Sequence, residues 1–232
     1  MLKFSFTNAK LAKGIASLSL PSGFSCPFAK DCLSKANRET GKITDGPTTE
    51  FRCFSASQEA AYKNVRLARW HNFDLLKGKN VSEMASLIQE ALPMVQMIRI
   101  HVGGDFFSQA YFDAWSAVAK ANPLMVFYAY TKSVKFWIAR LGSLPDNFIL
   151  TASRGTKDDH LIDQFNLRCA EVVFSEQEAI DKGLEIDHDD SHAYRNGPSF
   201  ALLIHGTQPK GSKAAKAKSA LKGKGSRGGG KK

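Results

Sequence analysis

The stretch 97–133, MIRIHVGGDFFSQAYFDAWSAVAKANPLMVFYAYTKS, decides the fold class of this chain. It opens with a β-rich run at 97–102 and continues through 108–121, where apolar residues recur at helical spacing. An Asn-Pro pair at 122–123 ends that helix, and an apolar run at 124–130 follows. Two apolar strands joined by one helix predict a β-α-β unit with parallel strands.

The same alternation of strand-like and helix-like patterns runs through the rest of the chain. The predicted strands are 15–21, 97–102, 124–130, 147–153, 170–175 and 199–205. The predicted helices are 56–76, 81–92, 108–121, 134–142, 158–165, 176–183 and 212–222. Strands this apolar are typical of a parallel sheet covered on both faces. About six of them favour a partial or distorted (β/α) TIM-like barrel, with an open doubly wound sheet as the alternative.

Composition sets the outer limits of the fold. The chain has 232 residues, of which 43% are hydrophobic, enough for one large core, so residues 1–209 are predicted to form a single α/β domain. No apolar run is long enough to span a membrane, and the N-terminus has no signal-peptide core. We therefore expect a cytoplasmic protein without a membrane partner. In a reducing cytosol its four cysteines are expected to be ligands or buried thiols rather than disulfides.

The positive charge is concentrated at the C-terminus. Residues 210–232 contain eight lysines, one arginine and no acid, which accounts for nine of the ten net charges and leaves +1 on residues 1–209. A basic helix at 212–222 and a disordered Gly/Lys-rich end are predicted. Such an arm would bind nucleic acid nonspecifically through its phosphates, or it would only add solubility.

Parallel α/β folds place their chemistry on loops at the C-terminal ends of the strands. Here those loops are rich in polar residues and glycine, and all should meet at one edge of the sheet. They are 22–26, 103–109, 131–133, 153–159, 175–178 and 205–213.

Three cysteines belong to this edge: Cys26 and Cys32 in CPFAKDC, and Cys53 in RCF. Three thiolates on such loops indicate an iron–sulfur cluster, because thiolate is the usual ligand of these clusters. The alternatives are a zinc site completed by His71 or Cys169, and no metal at all. Cys169 precedes a strand, so it is predicted to be a buried thiol at the opposite edge.

Several motifs carry a resemblance to known families. NAKL near the start, CPxAxxC, RCF, RIHVGGDFFS, YAYTKS and FALLIHGTQPKGS resemble the bacteriophage gene product eighty-eight family over most of residues 1–212. That resemblance implies a phage origin, and hence the host cytoplasm, without implying an activity. The cysteine loop followed by Gly103, Gly104 and Asp105 is similar to the radical S-adenosylmethionine architecture.

The second resemblance implies a set of ligands. Cys26, Cys32 and Cys53 would hold a [4Fe–4S] cluster whose fourth iron stays open, and an electron donor would reduce it. S-adenosylmethionine would then bind with Gly103-Gly104-Asp105 near its amino group. This chain departs from the superfamily pattern, since its spacings are C-x5-C and C-x20-C rather than C-x3-C-x2-C, and Asp105 replaces Glu.

Other groupings support different functions. The loop 187–192 holds three aspartates and two histidines, which would suit a metal-dependent hydrolase or form only a solvated loop. The segment 205–213 follows a strand and opens a helix, as anion-binding loops do. A zinc-stabilised protein associated with nucleic acid is a further alternative. Arg99 and His101 alternate along one strand, which predicts that both side chains lie on the same face.

Overall fold

The computed structural model describes residues 1–6, 14–47 and 49–225, so most of the predicted disordered end at 223–232 and the NAKL motif lie outside the described residues. The strands are β1 Phe4–Ser5, β2 Ile15–Leu18, β3 Lys35–Ala36, β4 Ile43–Thr44, β5 Met97–Ile100, β6 Val126–Thr131, β7 Phe148–Ser153, β8 Cys169–Val173, β9 Glu185–Ile186 and β10 Phe200–Leu203. The helices are α1 Phe54–Ala61, α2 Lys63–Leu76, α3 Val81–Ala91, α4 Gln109–Ala121, α5 Val134–Ile138, α6 Asp159–Gln164, α7 Glu176–Asp181, α8 Ser191–Tyr194 and α9 Lys213–Gly225.

Eight strands form one sheet in the order β1-β2-β5-β6-β7-β8-β10-β9. The six strands predicted from the sequence are its centre, and they pair in parallel in the order in which they occur along the chain. An antiparallel β1 lies at one edge and a parallel β9 at the other. These two edge strands do not pair with each other among the described residues, so the sheet is open. The prediction of a TIM-like barrel was therefore correct in its sequential parallel strands, but no closed barrel is observed.

Alternate residues of each strand point to opposite faces of the sheet. Helices α2 to α7 all pack on one face, which we call the helix-covered face. This follows from the strand order: right-handed crossovers that always advance in one direction leave every connecting helix on the same side. The doubly wound alternative requires the connecting helices to lie on both faces and the order of the central strands to reverse, whereas α2 to α7 lie on one face and the six central strands follow the order of the chain.

The helix-covered face holds the main hydrophobic core. Trp115, Phe112 and Phe106 are fully buried there, together with Ile98 and Phe127 from the strands. The rings of Phe106 and Phe112 meet edge to face with centroids 4.9 Å apart. Burying a large apolar side chain contributes about 1.5–3 kcal/mol, so this cluster is the principal source of stability.

The opposite face, which we call the α8 face, is covered by the short helix α8 and the loop before it. Ala193 of α8 is buried against Tyr128 and Phe200 of the sheet. Arg168 fixes the backbone of this segment by donating to the carbonyl oxygens of His192 (3.0 Å) and Ala193 (2.8 Å). Neither α8 nor β9 was predicted, since both are too short to give a periodic signal.

The chain between Cys32 and Cys53 folds back on itself. Strands β3 and β4 form a two-stranded hairpin apart from the main sheet. Arg66 of α2 holds its tip by donating to the carbonyl oxygens of Arg38 (2.9 Å) and Glu39 (3.3 Å). The predicted helix 56–76 is in fact two helices, α1 and α2, because the backbone is extended at Tyr62.

Helix α9 confirms the predicted basic helix at 212–222, but it continues to Gly225, so the prediction of disorder from Gly223 onward was wrong for residues 223–225. Ala214 is fully buried, the Lys213 ammonium lies 5.0 Å from the ring centroid of Phe174, and Lys218 donates to the carbonyl of Gly206. The start of the basic segment is therefore packed on the domain, and two of its charges contact the protein itself. Nucleic-acid binding by residues 210–232 stays a prediction.

Candidate functional site

The loops at the C-terminal ends of the strands meet around the cysteine segment, as predicted. The chain at Ala29 forms an antiparallel bridge with Thr156, in the loop after β7. On the other side, Gln208, in the loop after β10, exchanges two hydrogen bonds with the backbone of Arg52 at 2.8 and 3.1 Å. The segment that carries the three cysteines is therefore held at both ends by loops from the same edge of the sheet.

Cys26 lies in the loop that follows β2. The loop turns sharply between Pro21 and Ser25, whose N–H donates to the Pro21 carbonyl at 3.1 Å. The N–H of Gly23 then donates to the Cys26 sulfur at 3.3 Å. This donor favours the thiolate form, which is the form that binds metal.

Cys32 follows a segment that is tied to the loop after β7. The N–H groups of Lys30 and Asp31 both donate to the Gly155 carbonyl, at 3.0 and 3.2 Å. Gly155 has φ +85°, and a Cβ at this position would lie 2.7 Å from the Asp31 carboxylate. Only glycine fits this close approach, so the glycine fixes the path of the chain that leads to Cys32.

Cys53 is the N-cap residue of α1. Its N–H donates to the Ser34 hydroxyl at 3.2 Å, which joins the third cysteine to the chain just beyond Cys32. Burial raises the pKa of the Cys53 thiol, and the N–H groups of Ala56 and Ser55 in the first turn of α1 lower it. A helix N-terminus is a favourable place for a thiolate.

The three thiols share one electrostatic environment. Burial raises the pKa of Cys26, and the negative charges of Asp105, Cys53 and Cys32 raise it further. Burial also raises the pKa of Cys32 to about 12. Such thiols stay protonated at neutral pH unless a positive group compensates them. Within residues 1–6, 14–47 and 49–225, however, no three Cys, His, Asp or Glu side chains are arranged to hold a single metal ion.

Gly103 and Gly104 lie beside this region and leave no room for a side chain. A Cβ on Gly103 would lie 2.0 Å from the Ser55 hydroxyl and 2.8 Å from the Arg69 guanidinium. Gly104 has φ +86°, and a Cβ there would lie 2.5 Å from the Ser25 hydroxyl. Both glycines are needed for the contact between the end of β5 and the cysteine loop.

The Asp105 carboxylate is occupied by bonds within the protein. Its oxygens accept hydrogen bonds from the Thr131 hydroxyl (2.6 Å), the Lys132 N–H (2.8 Å) and the Phe106 N–H (2.7 Å). Burial raises its pKa to about 6, while those three hydrogen bonds lower it. Asp105 therefore connects the end of β5 to the end of β6, a role that its place in the sequence motif did not indicate.

A buried ion pair lies between Cys53 and Gly103. Arg69 donates to Glu59 at 2.7 Å and to the Ser55 hydroxyl at 2.6 Å, and the other partner of Glu59 Oε1 is Ser22. The sequence alone does not identify Glu59 as the partner of Arg69. Glu59 and Arg69 are ten residues apart and become neighbours only because the chain bends between α1 and α2. The sequence pattern does not show this bend.

The loop 187–192 lies on the α8 face rather than among the cysteines. Asp190 forms an ion pair with Arg99 and accepts hydrogen bonds from Tyr128 (3.3 Å) and Tyr130 (3.4 Å). Tyr130 also donates to Asp187 at 3.3 Å. These two carboxylates bind side chains of the sheet, and the hydrolase hypothesis stays a prediction.

Three other residues that the sequence analysis singled out lie away from the thiols or have partners of their own. Cys169 is buried at the first residue of β8, the opposite edge of the sheet, as predicted. The Nε2 atom of His71 lies 2.9 Å from the Met1 carbonyl oxygen. His101 was predicted to share a face with Arg99, and this was wrong. Its φ of +69° ends the strand alternation, and its ring is buried 3.1 Å from the Tyr111 hydroxyl.

Comparison with known proteins supplies the family. A sequence model of gene product 88 matches residues 2–223. The chain belongs to the gene product 88 family. Among its relatives are the Gene 88 proteins of Mycobacterium phages L5 and D29, which are 32% and 30% identical to it over 132 residues.

Each alignment with these gene product 88 relatives covers 51% of this chain and 48% of the relative, so the chain spans about half the length of the curated relatives it matches. No solved structure matches the chain. Within the described residues, no helix is long and apolar enough to cross a membrane.

Proposed function

We propose that this gene product 88 protein binds an iron–sulfur cluster through Cys26, Cys32 and Cys53. The observation that carries the proposal is the convergence of three thiols from separate segments on one region at the C-terminal edge of the sheet. Burial raises the pKa of each of these thiols. Grouping the three thiols gives no stabilisation as long as they stay protonated and uncharged. A cationic iron–sulfur core would compensate their charge as thiolates.

The donor set favours a cluster over zinc. A structural zinc ion requires four ligands at about 2.3 Å, which brings the sulfurs roughly 3.8 Å from one another. Of the candidates for a fourth ligand, Cys169 lies at the opposite edge of the sheet and His71 contacts the Met1 carbonyl. In a cluster each thiolate binds a different iron, so the sulfurs stand further apart.

The protein's own groups would hold the thiolates in place. The N–H of Gly23 and the first-turn N–H groups of α1 favour the charged forms of Cys26 and Cys53. Glycine at 103 and 104 lets the end of β5 approach the cysteine loop closely. When bound, the cluster would supply one-electron transfer and, at a fourth iron without a protein ligand, a position for a small molecule such as S-adenosylmethionine.

S-adenosylmethionine would bind next to the cluster, and Gly103 and Gly104 would line the path to its binding position. Asp105 would fix the conformation of this turn rather than contact the molecule, because its oxygens accept three hydrogen bonds from the protein. An external electron donor would reduce the cluster.

The test is anaerobic purification followed by iron, sulfide and zinc analysis. We expect stoichiometric iron and sulfide in the wild type and in Cys169→Ala, and loss of both in Cys26→Ala, Cys32→Ala and Cys53→Ala. Zinc in place of iron, or iron that survives loss of all three thiols, would contradict the proposal. The reduced protein is then titrated with S-adenosylmethionine. A changed electron paramagnetic resonance spectrum is expected. An unchanged spectrum at a saturating concentration would contradict binding of S-adenosylmethionine and leave the proposal of a cluster intact.

A further inference from the structure

The loop after β10 and the start of α9 carry exposed lysines at the C-terminal edge of the sheet. Lys210 and Lys216 are both exposed, and the sequence from 210 to 225 contains no Asp or Glu. The first turn of α9 is packed on the domain, since Ala214 is fully buried. The domain therefore presents these lysines at a fixed place.

Hydrogen bonds join this basic region to the segment around Cys53. The side chain of Gln208 exchanges two hydrogen bonds with the backbone of Arg52, at 2.8 and 3.1 Å. The Ser57 hydroxyl donates to the Thr207 carbonyl at 3.2 Å. The lysines therefore lie on the same edge as the thiols, and Cys53 is the nearest thiol along these contacts.

An exposed aromatic ring lies on the other side of Cys53. The N–H of Cys53 donates to the Ser34 hydroxyl at 3.2 Å, and the ammonium of the next residue, Lys35, lies 5.0 Å from the ring centroid of Phe24. Phe24 is 41% exposed, and its ring contacts Trp70 with centroids 4.8 Å apart. An accessible ring beside a cation suits a nucleobase and its phosphate.

The charges and the ring together select the class of ligand. Lysines bind phosphates through charge, and aromatic rings bind bases by stacking. The carboxylate of Asp45 pairs with Arg52 and is therefore neutralised, so it does not oppose an anion beside Cys53. A single strand carries phosphates along its length and has bases free to stack, whereas the bases of a duplex already stack on one another.

We propose that this edge binds single-stranded nucleic acid, with phosphates on the lysines around the start of α9 and a base against Phe24, so that the strand passes over Cys53. The inference goes beyond the proposed function and does not depend on it, because none of the residues that would contact the strand is a proposed cluster ligand. The sequence had indicated only nonspecific binding by the charged C-terminal segment.

The first arm of the test measures the role of the ring. The full chain is titrated into labelled oligo-dT of about twelve nucleotides, and in parallel into oligo-U to rank RNA against DNA. Phe24→Ala removes the ring, and Phe24→Leu keeps an apolar side chain there in case alanine perturbs the loop. Phe165→Ala is the matched control, because Phe165 is 40% exposed and precedes β8 at the opposite edge of the sheet.

The second arm measures the position of the charges. The double variant Lys210→Gln with Lys216→Gln is compared with the double variant Lys120→Gln with Lys182→Gln. Lys120 and Lys182 are exposed at the ends of α4 and α7, which lead to the opposite edge of the sheet. Each pair removes two positive charges, so a difference between them reports position rather than net charge. Thermal melts show that each variant is folded.

We expect both Phe24 variants to bind oligo-dT about tenfold more weakly than the wild type, and Phe165→Ala to bind as the wild type does. The Lys210 and Lys216 pair should reduce the slope of log affinity against log salt by about 1.4, and the control pair should leave it unchanged.

Four outcomes would overturn the inference. They are a wild type that binds no oligonucleotide at low salt, Phe24 variants that bind as tightly as Phe165→Ala, equal slopes for the two lysine pairs, and competition by duplex DNA or polyglutamate as effective as that by unlabelled oligo-dT. Iron and sulfide analysis is independent of all four, so the proposed function stands or fails separately.

Discussion

The helix-covered face and the α8 face are built from alternate residues of the same strands, yet different forces hold them. On the helix-covered face, Ile98 and Phe127 pack against aromatic rings of α4. On the α8 face, their neighbours Arg99 and Tyr128 bind the Asp190 carboxylate. The first face is stabilised by non-directional burial and the second by charge and hydrogen bonds, which require one geometry.

This difference affects how each face responds to mutation. An apolar core loses stability with the volume of the cavity that a substitution leaves behind. A buried polar network loses most when one partner is removed and the other is left unpaired, and it loses much less when both are replaced together.

The largest effect is expected on the helix-covered face. Trp115→Ala should cost about 4 kcal/mol of unfolding free energy, because it opens a large cavity among rings that cannot collapse into it. Chemical denaturation of the purified variant measures the loss. Leu124→Ala, at a residue that is 96% exposed, is the control and should change stability by less than about 0.5 kcal/mol. Equal losses in the two variants would show that α4 does not pack as described.

A smaller effect is expected on the α8 face. Asp190→Asn should cost about 2–3 kcal/mol, because the Arg99 guanidinium loses its carboxylate while it stays mostly buried. Asparagine tolerates the left-handed backbone at this position, where φ is +65°, so the loss reports the charge rather than strain. Denaturation of Asp190→Asn, Arg99→Met and the double variant forms a double-mutant cycle. We expect the double variant to be more stable than the sum of the single losses, and strict additivity would rule out the pair.

The smallest effect concerns pH. The hydrogen bond to Glu185, 3.0 Å from His192 Nε2, raises the pKa of His192 above its ordinary value of 6.5, and Asp187 raises it further. A raised folded-state pKa contributes stability that is fully present below 6.5 and is lost as the pH rises through the folded value. The unfolding free energy of the wild type should therefore exceed that of His192→Gln by about 0.5 kcal/mol in acid, and this difference should vanish in mild alkali. Thermal melts of both proteins over this pH range measure the difference. A stability difference that increases with pH would contradict the pairing of His192 with Glu185.

The sequence predicted the frame of the helix-covered face well. Its strands are apolar runs and its helices have periodic apolar positions. Both patterns follow from which side chains are buried, so both can be identified in the sequence. The edge where Cys26, Cys32 and Cys53 meet was also predictable, because parallel strands place their C-terminal loops together.

The α8 face and the inner part of the candidate site were not predictable in the same way. His101 was assigned to the wrong face because a single positive φ cancels the strand alternation and no neighbouring residue indicates it. The environment of Glu59 depends on partners distant in sequence, and nothing in the local pattern distinguishes a buried charge from a solvated one. Asp105 was assigned to ligand contact, and only its three internal hydrogen bonds identify its structural role.

The hairpin formed by β3 and β4 has a thermodynamic consequence for anything that joins Cys32 to Cys53. The two residues are separated by a loop of twenty residues, which the unfolded chain would leave open and which the hairpin closes in the folded state. A bridge across such a loop restricts the unfolded ensemble, by about 3 kcal/mol in the chain-entropy description. A bound group that spans these two thiols would therefore act as a covalent clamp on the fold, and a chelator that removed it would lower the melting temperature even if it left every other contact intact.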